Sequence, residues 1–73
     1  MQQYNLDRQS RCEIGAELFR LRQERSLKLH QVYLKTKVPE RVVEEMEIGR
    51  YIQYGYMRRL CAFYGKKLRV TLE

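Results

Sequence analysis

Pro39, Gly49 and Gly65 cut the second half of this chain into short segments, and that punctuation constrains the fold more than any other feature. Proline suits the first turn of a helix, where its missing N–H has no partner to lose. Glycine suits the end, where the chain turns into the left-handed region. The marks predict one helix over 39–48, with Val42, Val43 and Met46 as its apolar positions. They predict another over 55–64, where Met57, Leu60, Cys61 and Tyr64 recur at i, i+3, i+4 and i+7. Upstream, Ser10-Arg11-Cys12-Glu13 fits a capping box at a helix start. Ile14, Leu18 and Leu21 follow at helical spacing, which gives an amphipathic helix of about 13–15 residues ended by Ser26-Leu27. A short helix over 29–36, with Val32 and the edges of Leu29 and Tyr33 to bury, makes four.

After Gly65 the period changes. Leu68, Val70 and Leu72 alternate with Arg69, Thr71 and Glu73, the two-residue repeat of a half-buried strand. No second strand is legible elsewhere, so its backbone groups need a partner from another chain or stay solvated as a frayed tail. The simplest partner is the same strand of a second copy, paired about a two-fold axis. The expected fold is therefore mainly α, four helices with a short C-terminal β-strand paired across a homodimer. Residues 1–9 read as an N-terminal arm, 10–65 as the helical domain and 66–73 as a dimerisation strand.

With 73 residues there is room for one domain and a marginal core, which argues against an enzyme with a deep pocket. Cys12 and Cys61 lie far apart, lack a CxxC pattern and share the chain with one histidine, His30. A tetrahedral metal site cannot be assembled from them, and nothing in the order sets His30 beside either thiol as a base. A disulfide between them has weak support, and reduced, small hydrophobic side chains are the simpler reading. No cofactor, no metal and no catalysis are expected. Apolar residues never run beyond a few, so neither a signal peptide nor a membrane span is read, and a cytoplasmic, soluble chain is expected. The formal net charge of +6 favours a polyanionic partner.

The stretches IGAELFRLRQERSL, VYLKTKVPERVVEEMEIGR and LCAFYG, running without a gap from Ile14 to Gly65, resemble the Cro/CI-type (XRE) helix-turn-helix family. The resemblance implies a small lambda-repressor-like bundle whose second and third helices form the helix-turn-helix, the third entering the major groove of double-stranded DNA. KTKVPERVVEEME followed by Gly is also similar to the RodZ branch of that family, where the fold contacts an actin-like filament. LCAFYGKKLRVTLE looks like small antitoxins of the HipB and HigA kind, whose C-terminal strand helps make the dimer.

Residue by residue, the resemblance implies an internal ion pair between Arg22 and Glu47. It sets the base-contact positions at Glu40, Arg41 and Glu45. Arg41 suits guanine, whose O6 and N7 accept together, and a glutamate can accept from cytosine N4 while repelling phosphate. Candidate backbone contacts are Lys28, Lys35, Lys37, Arg50, Tyr51 and Gln53, the lysines weighed against a merely solvated face. Tyr51 is open between packing and phosphate, and Tyr54, at a leucine position of the family, is expected in the core. Dimer contacts are expected from Tyr56, Leu60 and Phe63, together with Leu68, Val70 and Leu72.

The chain departs from the family pattern in four places. Leu29 replaces a phosphate-touching glutamine, Lys28 the usual Ser/Thr cap, Tyr33 a small residue where helices 2 and 3 approach, and Lys37 the turn glycine. The charge is also uneven: residues 54–73 hold five basic side chains against one acidic, whereas 39–47 hold one Arg against four Glu. Three functions follow: a dimeric regulator reading a palindromic operator, a module binding a toxin or other protein through the acidic third helix, and a basic domain binding nucleic acid without reading sequence.

Overall fold

In the computed structural model, which describes residues 7–65, four helices pack around one core. They are α1 (Arg8–Glu24), α2 (Leu29–Thr36), α3 (Glu40–Glu47) and α4 (Tyr54–Tyr64). The expected strand over 66–73 and residues 1–6 of the expected arm lie outside the described residues.

Helix α1 begins earlier than the capping-box pattern predicts. Asp7 is its N-cap, and Asp7 Oδ1 accepts the Ser10 N–H at 2.8 Å. A carboxylate at the positive end of a helix is a stronger acceptor than a hydroxyl, so Asp7 sets the start and Ser10 falls inside the first turn. Glu13 accepts from Gln9 Nε2 at 3.2 Å instead of reaching back to Ser10. The helix closes through Arg25 and Ser26, the latter left-handed at φ 53°.

Helix α2 matches its expected span. Lys28 occupies the cap position and has no acceptor to offer, but Gln31 Oε1 reaches back to the Lys28 N–H at 2.8 Å. The turn into α3 is built around Thr36 and Lys37. The buried Thr36 hydroxyl donates to Val32 O at 2.8 Å and accepts from Val38 N at 3.2 Å, so it is satisfied on both sides. Lys37 is left-handed at φ 63°, a conformation that glycine adopts without the strain a side chain brings. Val38 drops wholly into the core, and Pro39 stands at the cap of α3, one residue before the first turn.

The core draws on every element. Leu18 and Leu21 come from α1, Val32 from α2, Val43 and Met46 from α3, and Met57, Leu60 and Tyr64 from α4; Val38 and Ile52 join from the connectors. The tightest approach is between α1 and the C-terminal end of α3. A Cβ built on Gly15 would collide with the carbonyl oxygens of Met46 and Glu47, the latter at 2.6 Å. Gly49, at φ +80°, turns the chain after α3 directly against Cys12, whose Cα would lie 2.8 Å from any Cβ there. Arg11 Nε donates to Gly49 O at 3.1 Å across the same contact.

In an ordinary exposed helix Gly→Ala gains about 1 kcal/mol. At Gly15 the sign reverses, because backbone atoms must move: Gly15→Ala is expected to lose at least about 1–2 kcal/mol in urea denaturation. An unchanged or higher midpoint would mean that α1 and α3 cross less closely than described.

Candidate functional site

Any surface of α3 is only as well placed as the helix itself, and one ion pair places it. Arg22 Nε and Nη2 donate to Glu47 Oε2 and Oε1 at 2.7 and 2.9 Å, while Nη1 donates to Leu27 O at 2.9 Å. Both side chains are largely buried, and the Glu47 hydrogen bonds push the Arg22 pKa up from its already high value. One guanidinium thus holds the end of α3 and the turn before α2. Beneath it lies Tyr64, 2% exposed, whose hydroxyl finds no hydrogen-bond partner. Burial, with Glu47 nearby, pushes the Tyr64 phenol up to about 12, against the opposing pull of Arg22 and Arg25.

The outward face of α3 carries Glu40, Arg41 and Glu44. Arg41 is the most exposed of the charged pairs' members, at 87%, and its Nε donates to Glu45 Oε1 at 3.2 Å. Glu45 is only 15% exposed. The hydrogen bond from Arg41 holds its carboxyl below the ordinary value, and the Tyr51 hydroxyl adds to this. Tyr51 responds in the other direction, raised by burial and by Glu45. Glu40 sits in the first turn of α3, where the helix dipole favours a carboxylate, and Glu40 Oε2 lies 3.5 Å from His30 Nδ1 on α2.

Of the residues read as base contacts, then, Arg41 and Glu40 face solvent, whereas Glu45 is drawn inward between Arg41 and Tyr51. Of the backbone candidates, Lys28, Lys35, Lys37 and Arg50 are exposed. Lys28 caps α2, Lys35 and Lys37 mark its end, and Arg50 follows α3. Lys37 Nζ lies 5.7 Å from the Tyr33 ring, which is turned outward and so resolves the crowding that a large residue at that position would cause. Gln53 is the half-buried cap residue of α4, its carbonyl accepting from Met57 N at 2.8 Å.

Two expectations are corrected. Leu60 is fully buried in the core, so it has no surface to offer a second copy; it belongs to the apolar stripe with Met57 and Tyr64. Tyr54 is 36% exposed rather than in the core: the buried positions on either side of it are Ile52 and Met57, and Arg58 lies over the Tyr54 ring at 5.4 Å. Tyr56 and Phe63 are half-buried and keep part of their surface exposed; Leu68, Val70 and Leu72 lie outside the described residues.

Sequence reasoning missed the contacts that depend on tertiary placement. His30 reaches Glu40, Arg25 Nη2 donates to Tyr64 O at 2.8 Å, and Ile48, Leu34 and Phe19 stand 64%, 52% and 46% exposed. Exposed apolar residues next to a helix end leave no mark in periodicity, since Ile48 falls where the α3 stripe has already stopped. Cys12 and Cys61 are not joined in a disulfide. Among the described residues no cluster of His, Cys, Asp and Glu could hold a metal ion, and no helix is long and apolar enough to cross a membrane.

Comparison with protein-family models, with curated proteins and with solved structures finds no match for this chain.

Removing one partner of a buried ion pair costs about 3–5 kcal/mol, and Arg22→Ala is expected to lower stability by that order, read as a shift in urea midpoint. Tyr64→Phe should do the opposite, gaining about 1 kcal/mol by removing an unpartnered hydroxyl. The phenol is held neutral by the fold, so its contribution is intact below pH 10 and lost as pH rises towards about 12. Wild type should therefore lose up to about 2–3 kcal/mol more than Tyr64→Phe over that interval. Parallel pH profiles would contradict the burial.

Proposed function

We propose that this chain is a sequence-specific DNA-binding regulator that acts as a homodimer, with α2 and α3 as a helix-turn-helix and α3 as the base-reading helix. The observation that carries the reading is the Arg41 guanidinium, 87% exposed on the outward face of a short helix anchored at its far end by Arg22 and Glu47. A planar fork presented this way matches guanine O6 and N7 in the major groove. Lys28, Lys35, Lys37 and Arg50, exposed at the ends of α2 and after α3, are suited to the phosphates that flank such a contact. The gap-free resemblance of residues 14–65 to the Cro/CI-type family supports the same reading. The dimer would use the tail over 66–73 with Tyr56 and Phe63, setting two α3 helices about 34 Å apart on a palindromic operator.

A second reading has its own observation. Glu40 and Glu44 on the exposed side of α3 lead to the exposed Ile48 at its C-cap, and acidic side chains ending in an apolar one suit a basic protein partner, such as a toxin or a filament subunit.

Selection from random duplexes, followed by anisotropy titration at several salt concentrations, separates the two. The DNA reading predicts an inverted repeat and a log–log salt slope of about −0.9 for each phosphate contacted. Arg41→Ala should then lose about 5- to 100-fold in preference at one position of each half-site. Absence of an inverted repeat, with affinity equal to that for scrambled duplex, would overturn it in favour of the protein-binding reading.

A further inference from the structure

We propose that Glu45 is a positioning residue for Arg41, which leaves Arg41 to read guanine end-on through its two terminal nitrogens. The inference rests on the DNA-binding reading of α3 and specifies how it would work.

A guanidinium has five N–H groups in one plane. In Arg41 the Nε–H is directed at Glu45 Oε1, 3.2 Å away, so the side-on pair of Nε and Nη2 is already used. What stays open is the end-on pair on Nη1 and Nη2, and those point outward on a side chain 87% exposed. Only guanine offers two adjacent acceptors on its major-groove edge; adenine offers an acceptor beside a donor. Glu45 itself is a poor base reader. It is 15% exposed, one oxygen takes the Arg41 hydrogen bond, and the Tyr51 hydroxyl from the connector after α3 lies against the same carboxylate. Tyr51 accordingly acts as a strut behind Glu45 rather than as a phosphate contact.

The pairing has a second consequence. A free arginine is drawn to any phosphate, whereas one whose charge is offset by a fixed carboxylate is attracted less to the backbone and is selected more by geometry. Glu45 would then suppress non-specific binding while it sharpens specific binding. This predicts opposite changes in two quantities, which a purely structural role for Glu45 would not produce.

The experiment compares wild type, Arg41→Ala, Glu45→Ala, Glu45→Gln and Tyr51→Phe, each checked for folding by circular dichroism. Each is then read by duplex selection and by salt-dependent anisotropy on specific and scrambled duplexes. Glu45→Ala should lose about tenfold in guanine preference at the same position that Arg41→Ala loses, while binding scrambled duplex more tightly and with a steeper salt slope. Glu45→Gln keeps an acceptor and should recover part of the preference but not the shallower slope. Tyr51→Phe should fall between wild type and Glu45→Ala, and it carries the test if Glu45→Ala fails to fold. If Arg41→Ala loses guanine but Glu45→Ala and Tyr51→Phe keep it, the positioning role is wrong while the DNA reading stands. Loss of preference for cytosine at a different position would make Glu45 a base reader and likewise overturn it. If wild type selects no sequence, the DNA reading fails and this inference fails with it.

Discussion

The two-pronged grip of Arg22 on Glu47 ties the end of α3 to the last turn of α1, and its third contact, to Leu27 O, ties in the turn that leads to α2. Two 8-residue helices cannot hold themselves in place by backbone hydrogen bonds alone. Their positions come from what they pack against. Gly15 lets the α3 terminus approach the α1 backbone, and the ion pair then fixes its direction. Val43 and Met46 can enter the core and the opposite side of α3 is left facing solvent. Surface ion pairs such as that of Arg20 with Glu17 and Glu24 contribute little by comparison, because water screens them and long side chains must be ordered to form them.

Much of the architecture is legible in the sequence for reasons that are local. The span of α2 and the stop of α3 at Gly49 follow from apolar spacing and from a backbone conformation that glycine adopts without strain. The start of α1 is harder to read, because Asp7 and Ser10 are both good caps three residues apart, and a pattern match to Glu13 points to the wrong one. Charge decides it: the carboxylate at Asp7 takes the Ser10 amide. Leu60 shows a different limit. One apolar position on a helical stripe can serve the core or a partner, and only the packing of α4 on α2 tells which.

The candidate site is legible only in part. That Arg22 and Glu47 would meet follows from the family resemblance, and the structure brings them together with full bidentate geometry. That Glu45 is drawn inward does not follow from residue type, which makes it equivalent to Glu40 and Glu44; its spacing sets it beside Arg41, one turn away. Tyr51, half-buried in the connector after α3, helps hold the Glu45 carboxyl below its ordinary value, an effect that no periodicity reports. The net charge of +6 is similarly misleading when taken whole. The proposed reading helix is acidic, so a DNA partner would be attracted by the rest of the molecule and recognised through a single arginine set among carboxylates.

Whether α3 presents the proposed DNA-reading surface can be read from chemical-shift mapping of isotope-labelled protein with the duplex it selects. The perturbed groups are expected to cluster at the start of α2, on the outward face of α3 around Glu40, Arg41 and Glu44, and over residues 50–53. Phe19 and the exposed face of α1 should stay unchanged. Perturbations centred on Phe19 and Ile48, or none beyond those caused by a scrambled duplex, would contradict it.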